Sequence, residues 1–404
     1  MKKLYFTALI FMMMNIFAFS QSWTQKSSIF NYGRFCAIGC SANGKGYVGM
    51  GQIADGTYLN DFWEYDPSSN QWTGKTDFPG GGRYGASAFS INGKVYVCFG
   101  YDTSHTSRND IWEYNPVNES WVEKAVFPGQ ARYGANGFVI GDSVVYIGTG
   151  TYGSQYDYLY DFWMYNPVAD NWTQKSNFPG FNRQSAASFS IDGIGYMGAG
   201  LSDVATATKD FWKYNPVNDT WSAIQDLPVE KATLISFAVS GKGYVGSGCG
   251  SDPFINSIDF FEYSPVANTW IPATPPDNAI PRRYGIGFSI GDTGYFGTGY
   301  SDEGLFPDFW ASYKASTGMK KIGNDSYFNI YPNPASGKIV FELIQGSQLQ
   351  NVTVSIYDIQ GQLLLQQPVR QYKTEININQ LEKGLYIVKI CLDNEIMVRR
   401  FVKE

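Results

Sequence analysis

Across residues 83–127 short apolar runs alternate with polar turns, and the pattern predicts four strands. Tyr84 to Ile91 is a run of small and apolar residues, Lys94 to Phe99 a second run, Asp110 to Asn115 a third, and a fourth surrounds Trp121. Asn92-Gly93 lies between the first two. It is a strong hairpin signal, because both central positions of a type I′ turn need positive φ. In the third strand of the preceding segment Phe62 points to one face while Trp63 and Tyr65 point to the other. Both faces are apolar, so the sheet needs cover on both sides.

The same unit recurs. Its third strand opens with Asp61-Phe62-Trp63, Asp110-Ile111-Trp112, Asp161-Phe162-Trp163, Asp210-Phe211-Trp212, Asp259-Phe260-Phe261 and Asp308-Phe309-Trp310, at steps of 49, 51, 49, 49 and 49 residues. A period near fifty is the mark of small sheets stacked in an array. Stacking them around an axis covers both faces of each, which is the propeller solution to exposed edges. The fourth-strand tryptophans are Trp23, Trp72, Trp121, Trp172, Trp221 and Trp270. Trp23 precedes the first Asp-Phe-Trp and no Trp follows the last. The strand around Trp23 is therefore expected to complete the last sheet, beside Asp308 to Tyr313.

The units resemble kelch repeats. That resemblance rests on Tyr47…Gly51…Tyr65…Trp72, Tyr96…Gly100…Tyr114…Trp121, Tyr146…Gly150…Tyr165…Trp172, Tyr196…Gly200…Tyr214…Trp221 and Tyr244…Gly248…Tyr263…Trp270. The family's adjacent glycines are here spread as Gly49-Met50-Gly51, and Cys98 replaces the first of them in the second unit. The expectation is an all-β chain with a six-bladed kelch-type propeller over residues 21–313, closed by its N-terminal strand.

After Tyr313 the period is lost. Residues 314–326 read as a linker, and residues 327–404 as a small β-sandwich of short alternating strands. Ile330-Tyr331-Pro332-Asn333-Pro334, Ile356-Tyr357-Asp358 with Gly361, and Gly384-Leu385-Tyr386 resemble the C-terminal sorting domain of the type IX (Por) secretion system of certain gram-negative bacteria. The resemblance implies recognition of residues 327–404 by that machinery, passage across the outer membrane, and a secreted or cell-surface protein. The start of the chain agrees: Lys2 and Lys3, the apolar stretch Leu4 to Phe17, and Ala18-Phe19-Ser20 read as a signal peptide over residues 1–20.

Charge narrows the partners. Residues 21–326 hold 20 basic and 29 acidic residues, a net charge of −9, which disfavours nucleic acid. The five cysteines form no disulfide framework. Cys36 and Cys40 sit on one expected strand too far apart to bond, and all five read as small buried residues.

Candidate chemistry gathers on one face, where the fourth-to-first and second-to-third loops open together. A cation starts the innermost strand of each unit: Arg34, Arg83, Arg132, Arg183, Lys231 and Arg283. The loops carry Asp55, Tyr58, Tyr101, Asp102, His105, Tyr152, Tyr156, Asp157, Asp203, Asp252, Asp302 and Glu303. A cationic ring rimmed by Tyr and Asp suits an anionic glycan or an acidic peptide, and kelch adaptor proteins bind acidic peptides through arginines at the equivalent place. The competing reading is structural, with each cation taken up by an intramolecular pair. It belongs with a surface adhesin that has no small-molecule site. Catalysis has less to draw on. One histidine, His105, cannot supply the paired imidazoles of a copper centre or a His-rich zinc site, and the first strands contain no carboxylate. No catalytic residue, cofactor or metal is expected. A resemblance to sialic-acid mutarotases leaves a sugar-acid isomerase as the enzymatic alternative, with a loop Asp or Glu as base.

Overall fold

A computed structural model describes residues 21–29, 32–153, 157–202, 206–251, 255–314, 320–321, 328–343, 353–358, 363–369, 371, 373–392 and 395–404. The signal-peptide reading of residues 1–20 lies outside the described residues, as do Tyr156, Asp203, Asp252, Gly361 and most of the expected linker. No described residue is helical. The chain divides into two compact units, Met1–Lys314 and Ala315–Glu404.

In the first unit the described residues form six antiparallel blade sheets, five of four strands and one, the fourth, of five because Arg183–Gln184 also pairs with its long second strand, together with three two-stranded ribbons. Their innermost strands are Ile38–Ala42, Ser87–Ile91, Asn136–Ile140, Ala187–Ile191, Ile235–Val239 and Ile286–Ile290. Each packs against the next, and the last packs against the first, so the sheets close into a ring of blades. The sixth sheet takes its outer strand from the other end of the unit. Gln21–Lys26 pairs antiparallel with Phe309–Lys314, in a register that places Trp23 opposite Ser312. The closure expected from the tryptophan count is present.

Aromatic rings fill the spaces between blades. Tyr65 of the first blade meets Phe309 of the sixth at 5.0 Å, and Trp72 meets the same ring at 5.1 Å. Tyr65, Phe62, Tyr114, Phe162, Tyr165, Phe211, Tyr214 and Phe309 are all at most 1% exposed, and such burial contributes roughly 1.5–3 kcal/mol for a Phe-sized side chain. Close packing dictates a glycine beside the tyrosine of several second strands. A Cβ on Gly195 would lie 1.9 Å from the Phe138 ring, and one on Gly243 would lie 2.2 Å from the Phe189 ring.

The structure breaks one strand that the sequence reads as continuous. Tyr84 to Ile91 is split into Arg83–Tyr84 and Ser87–Ile91, because Gly85 adopts φ +65° between them. Cys36, at φ 50°, occupies the same break ahead of Ile38–Ala42 and is not on one strand with Cys40. Cys36, Cys40, Cys98 and Cys249 are free thiols.

The second unit has a three-stranded sheet of Phe328–Tyr331, Lys338–Leu343 and Lys373–Asn377, and a five-stranded sheet built on Thr353–Tyr357, Leu363–Pro368, Gly384–Leu392 and Glu395–Lys403, with Lys320–Lys321 at its edge. Ile339, Phe341 and Ile376 of one sheet share a core with Val354, Ile356, Val388 and Phe401 of the other.

Candidate binding face

The periodic cations occupy buried sockets. Arg34 Nη1 and Nη2 each donate to an oxygen of Asp61 at 2.7 Å, and Nη1 also donates to the Met50 carbonyl at 2.9 Å. Arg132 repeats this with Asp161 at 2.7 and 2.7 Å and the Thr149 carbonyl at 2.9 Å. Arg83 pairs with Asp110 and the Phe99 carbonyl, and Arg183 with Asp210 and the Ala199 carbonyl. The Asp is the first residue of the recurring tripeptide, and its aromatic third residue completes the socket. The indole Nε1 of Trp63, Trp112, Trp163, Trp212 and Trp310 donates to the second carboxylate oxygen at 2.7–3.0 Å. A phenyl ring caps several guanidinium groups, with Phe178 centred 4.6 Å from Arg183 and Phe127 4.9 Å from Arg132.

In the sixth blade Arg282 fills the socket, not Arg283. Arg282 is fully buried and pairs with both oxygens of Asp308, whereas Arg283 is half-buried, with its guanidinium over the Tyr300 ring. The expectation that Arg34, Arg83, Arg132, Arg183, Lys231 and Arg283 circle an open mouth is thus revised in two ways. The socket residue of the last blade is Arg282, and the four arginines and Lys231 are at most 3% exposed, each on its own blade's Asp. Two strand ends that must bury a carboxylate and a turn carbonyl together supply the reason, since a paired, hydrogen-bonded guanidinium satisfies both.

The fifth blade departs from the rest. Lys231 Nζ reaches Asp259 at 2.6 Å, the Ser247 carbonyl at 3.1 Å and Ser257 Oγ at 2.5 Å. Phe261 stands where the other blades have Trp, so no indole donates to Asp259. Burial pulls the Lys231 ammonium below its ordinary pKa, against the opposing effect of the Asp259 hydrogen bond and charge. For Asp210 burial acts to raise the carboxyl, but the hydrogen bond and charge of Arg183, with hydrogen bonds from Trp212 and Thr208, together hold it low.

Backbone hydrogen bonds link the blades in a collar around the mouth of the ring. The N–H of Cys36 donates to the Tyr284 carbonyl, Gly85 to Cys36, Gly134 to Gly85, Ser185 to Gly134, Thr233 to Ser185 and Tyr284 to Thr233, at 2.8–3.2 Å. Six bonds from six blades form one cycle, and each of the six residues has a φ of 50–65°. A second cycle lies outside it. Gly51, Gly100, Gly150, Gly200, Gly248 and Gly299 each donate to the carbonyl of the next blade's socket cation, the last reaching back to Arg34 at 2.8 Å. Below the collar the channel holds a cavity of about 200 Å³ lined by Ala37, Ser87, Asn136 and Ser236 among others, and one of about 420 Å³ lies toward the hairpin ends. Asp142, from a hairpin turn, lines the second, and its carboxylate accepts the Asn92 N–H.

The residue after each socket cation stands on the opposite side of the strand. These residues are Phe35, Tyr84, Tyr133, Gln184, Ala232 and Arg283. Tyr84 is their hub, with ring centroids 5.0 Å from Tyr58, 5.6 Å from Tyr101 and 5.6 Å from Tyr133. Phe35 lies 6.0 Å from Tyr284 and 6.0 Å from Tyr300. Sequence reasoning placed Tyr58 and Tyr101 on this face but missed Phe35, Tyr84 and Tyr133. Their position directly after the cation was the available signal. Of the loop carboxylates, Asp102 is 5% exposed and serves its own turn. It accepts from Ser104 and Thr106 and is paired with Arg108. His105 is exposed at the tip of that turn, with φ 57°. Among the described residues no group of three or more His, Cys, Asp or Glu is placed to hold a metal ion.

Residues 18–191 match the family model of the KLHDC2/KLHL20/DRC7 Kelch-repeats domain, and residues 329–404 match that of the secretion system C-terminal sorting domain. This chain is a kelch-repeat β-propeller with a secretion sorting domain. Among solved structures, YjhT is similar to it over 70% of this chain and 96% of its own length, with 16% sequence identity and a TM-score of 0.61. That likeness is one of fold. Comparison with the curated proteins gives no match. The sorting domain directs this kelch protein to the cell surface or the medium by way of the type IX machinery.

Proposed function

We propose that the kelch propeller is a binding module which, after signal-peptide export from a gram-negative cell, presents its loop face to an acidic peptide. The observation that carries this reading is the aromatic floor of half-buried Phe35 and Tyr84, flanked by Tyr58 and Tyr300 and supported from beneath by the buried rings of Tyr101 and Tyr133, beside a collar whose backbone groups are already used. A shallow surface rich in rigid tyrosines suits a polypeptide, because such rings supply large contact area at low entropic cost. With the socket arginines turned inward, Arg283 supplies the cation for an acidic group. Peptides selected from a display library against the full chain test the proposal. Tyr84→Ala is expected to weaken the selected peptides at least tenfold, and Arg283→Ala to flatten their dependence on salt. Selected peptides that bind both variants as well as the wild type would refute the floor as their site.

A further inference from the structure

A second recess lies between the fourth and fifth blades, on the same face but away from the aromatic floor. Its volume is about 880 Å³, in the range of small-ligand sites. Its lining includes the aromatic rings of Phe181 and Trp212 and the carboxylates of Asp226 and Glu230. Three features define it. The second and third strands of the fourth blade, Ile194–Ser202 and Ala207–Asn215, run for 9 residues each where their equivalents in the second blade run for 5, which raises a wall along the recess. Phe181 is 63% exposed, and the socket does not need it: the same loop position after Pro-Gly is Gly81 in the second blade and Gln130 in the third. Asp226 and Glu230 are exposed and have no ion-pair partner among the described residues, and Lys209 joins them in the lining.

An exposed apolar plate in one recess with hydrogen-bonding groups of both signs matches a molecule with a flat C–H face and a rim of hydroxyls. A hydroxyl both donates and accepts, so it can use the carboxylates of Asp226 and Glu230 and the ammonium of Lys209 together, where a simple ion would be opposed by one of them. We infer that this recess is a carbohydrate-binding site, with a neutral sugar ring stacked on Phe181 and its hydroxyls held by Asp226, Glu230 and Lys209. The inference is independent of the peptide reading of the floor.

Saturation-transfer NMR and calorimetry on the full chain with chitobiose, cellobiose, lactose and maltose test it. At least one disaccharide is expected to bind. Phe181→Ala should weaken that binding at least tenfold and Glu230→Gln should weaken it too, while Tyr84→Ala leaves it unchanged. Phe181 and Glu230 are both exposed, so either variant is expected to keep the wild-type melting temperature. Absence of a response to all four disaccharides overturns the inference, as does binding that survives Phe181→Ala. Loss in Tyr84→Ala alone would assign sugar to the floor and leave the recess without a role.

Discussion

At the scale of single residues, the recurring Asp and the recurring Arg are one device. The carboxylate accepts two guanidinium bonds and an indole bond, and the guanidinium also holds the carbonyl of a residue at positive φ, such as Met50 at 59° or Thr149 at 58°. Removing one partner from a buried, hydrogen-bonded pair leaves the other uncompensated, at a cost of about 3–5 kcal/mol. Arg132→Ala is therefore expected to lower unfolding free energy by about that amount in urea titration. A loss below about 1 kcal/mol would mean that the pair behaves as an exposed one. The device was legible in part. Both repeats are visible in the chain, and the Asp always follows its cation by 26–29 residues. That second spacing was the signal for pairing. Reading the cations alone made them look available to a ligand.

At the scale of elements, the sequence announces strands well and interruptions poorly. Alternation and the Asn-Gly turns locate the strands, yet the break after Tyr84 was invisible because only Gly85 and Gly134 of the six collar residues are glycines. Cys36, Ser185, Thr233 and Tyr284 take the same positive φ through the tertiary cycle of hydrogen bonds, against local preference. The aromatic floor was obscured for the same reason, since it depends on where that break aims the preceding side chain. The N-terminal strand, by contrast, followed directly from counting tryptophans. Deleting residues 21–26 should expose the edge of Phe309–Lys314, and hydrogen exchange is the measurement. Trp310 and Ser312, which face Gln25 and Trp23, are expected to lose protection first, while the second and third blades keep theirs. Uniform loss across all blades would show that the ring has no partial stability.

At the scale of the whole molecule, acid should act through carboxyls held low in the folded state. For Asp210 burial is outweighed by Arg183 together with Trp212 and Thr208. For Glu113 burial is outweighed by hydrogen bonds from Lys94 and Tyr96, and for Asp102 by those from Ser104 and Arg108. Each such group favours the folded chain above the ordinary carboxyl pKa of about 4, and that contribution is lost as pH falls through the lower folded value. The melting temperature is thus expected to change little between about pH 7 and 5 and to fall progressively below about 4. A melting temperature that rises on acidification would contradict these directions.

Closure by residues 21–26 has a consequence for how the protein is made. The partner of that strand, Phe309–Lys314, is synthesised last of all propeller segments, so the growing polypeptide cannot lock its circle until translation has passed the sixth repeat. Contacts of such long sequence separation form late. During elongation the early blades therefore stack as an open arc, and the aromatic faces that the first and sixth sheets share stay uncovered until that last strand emerges.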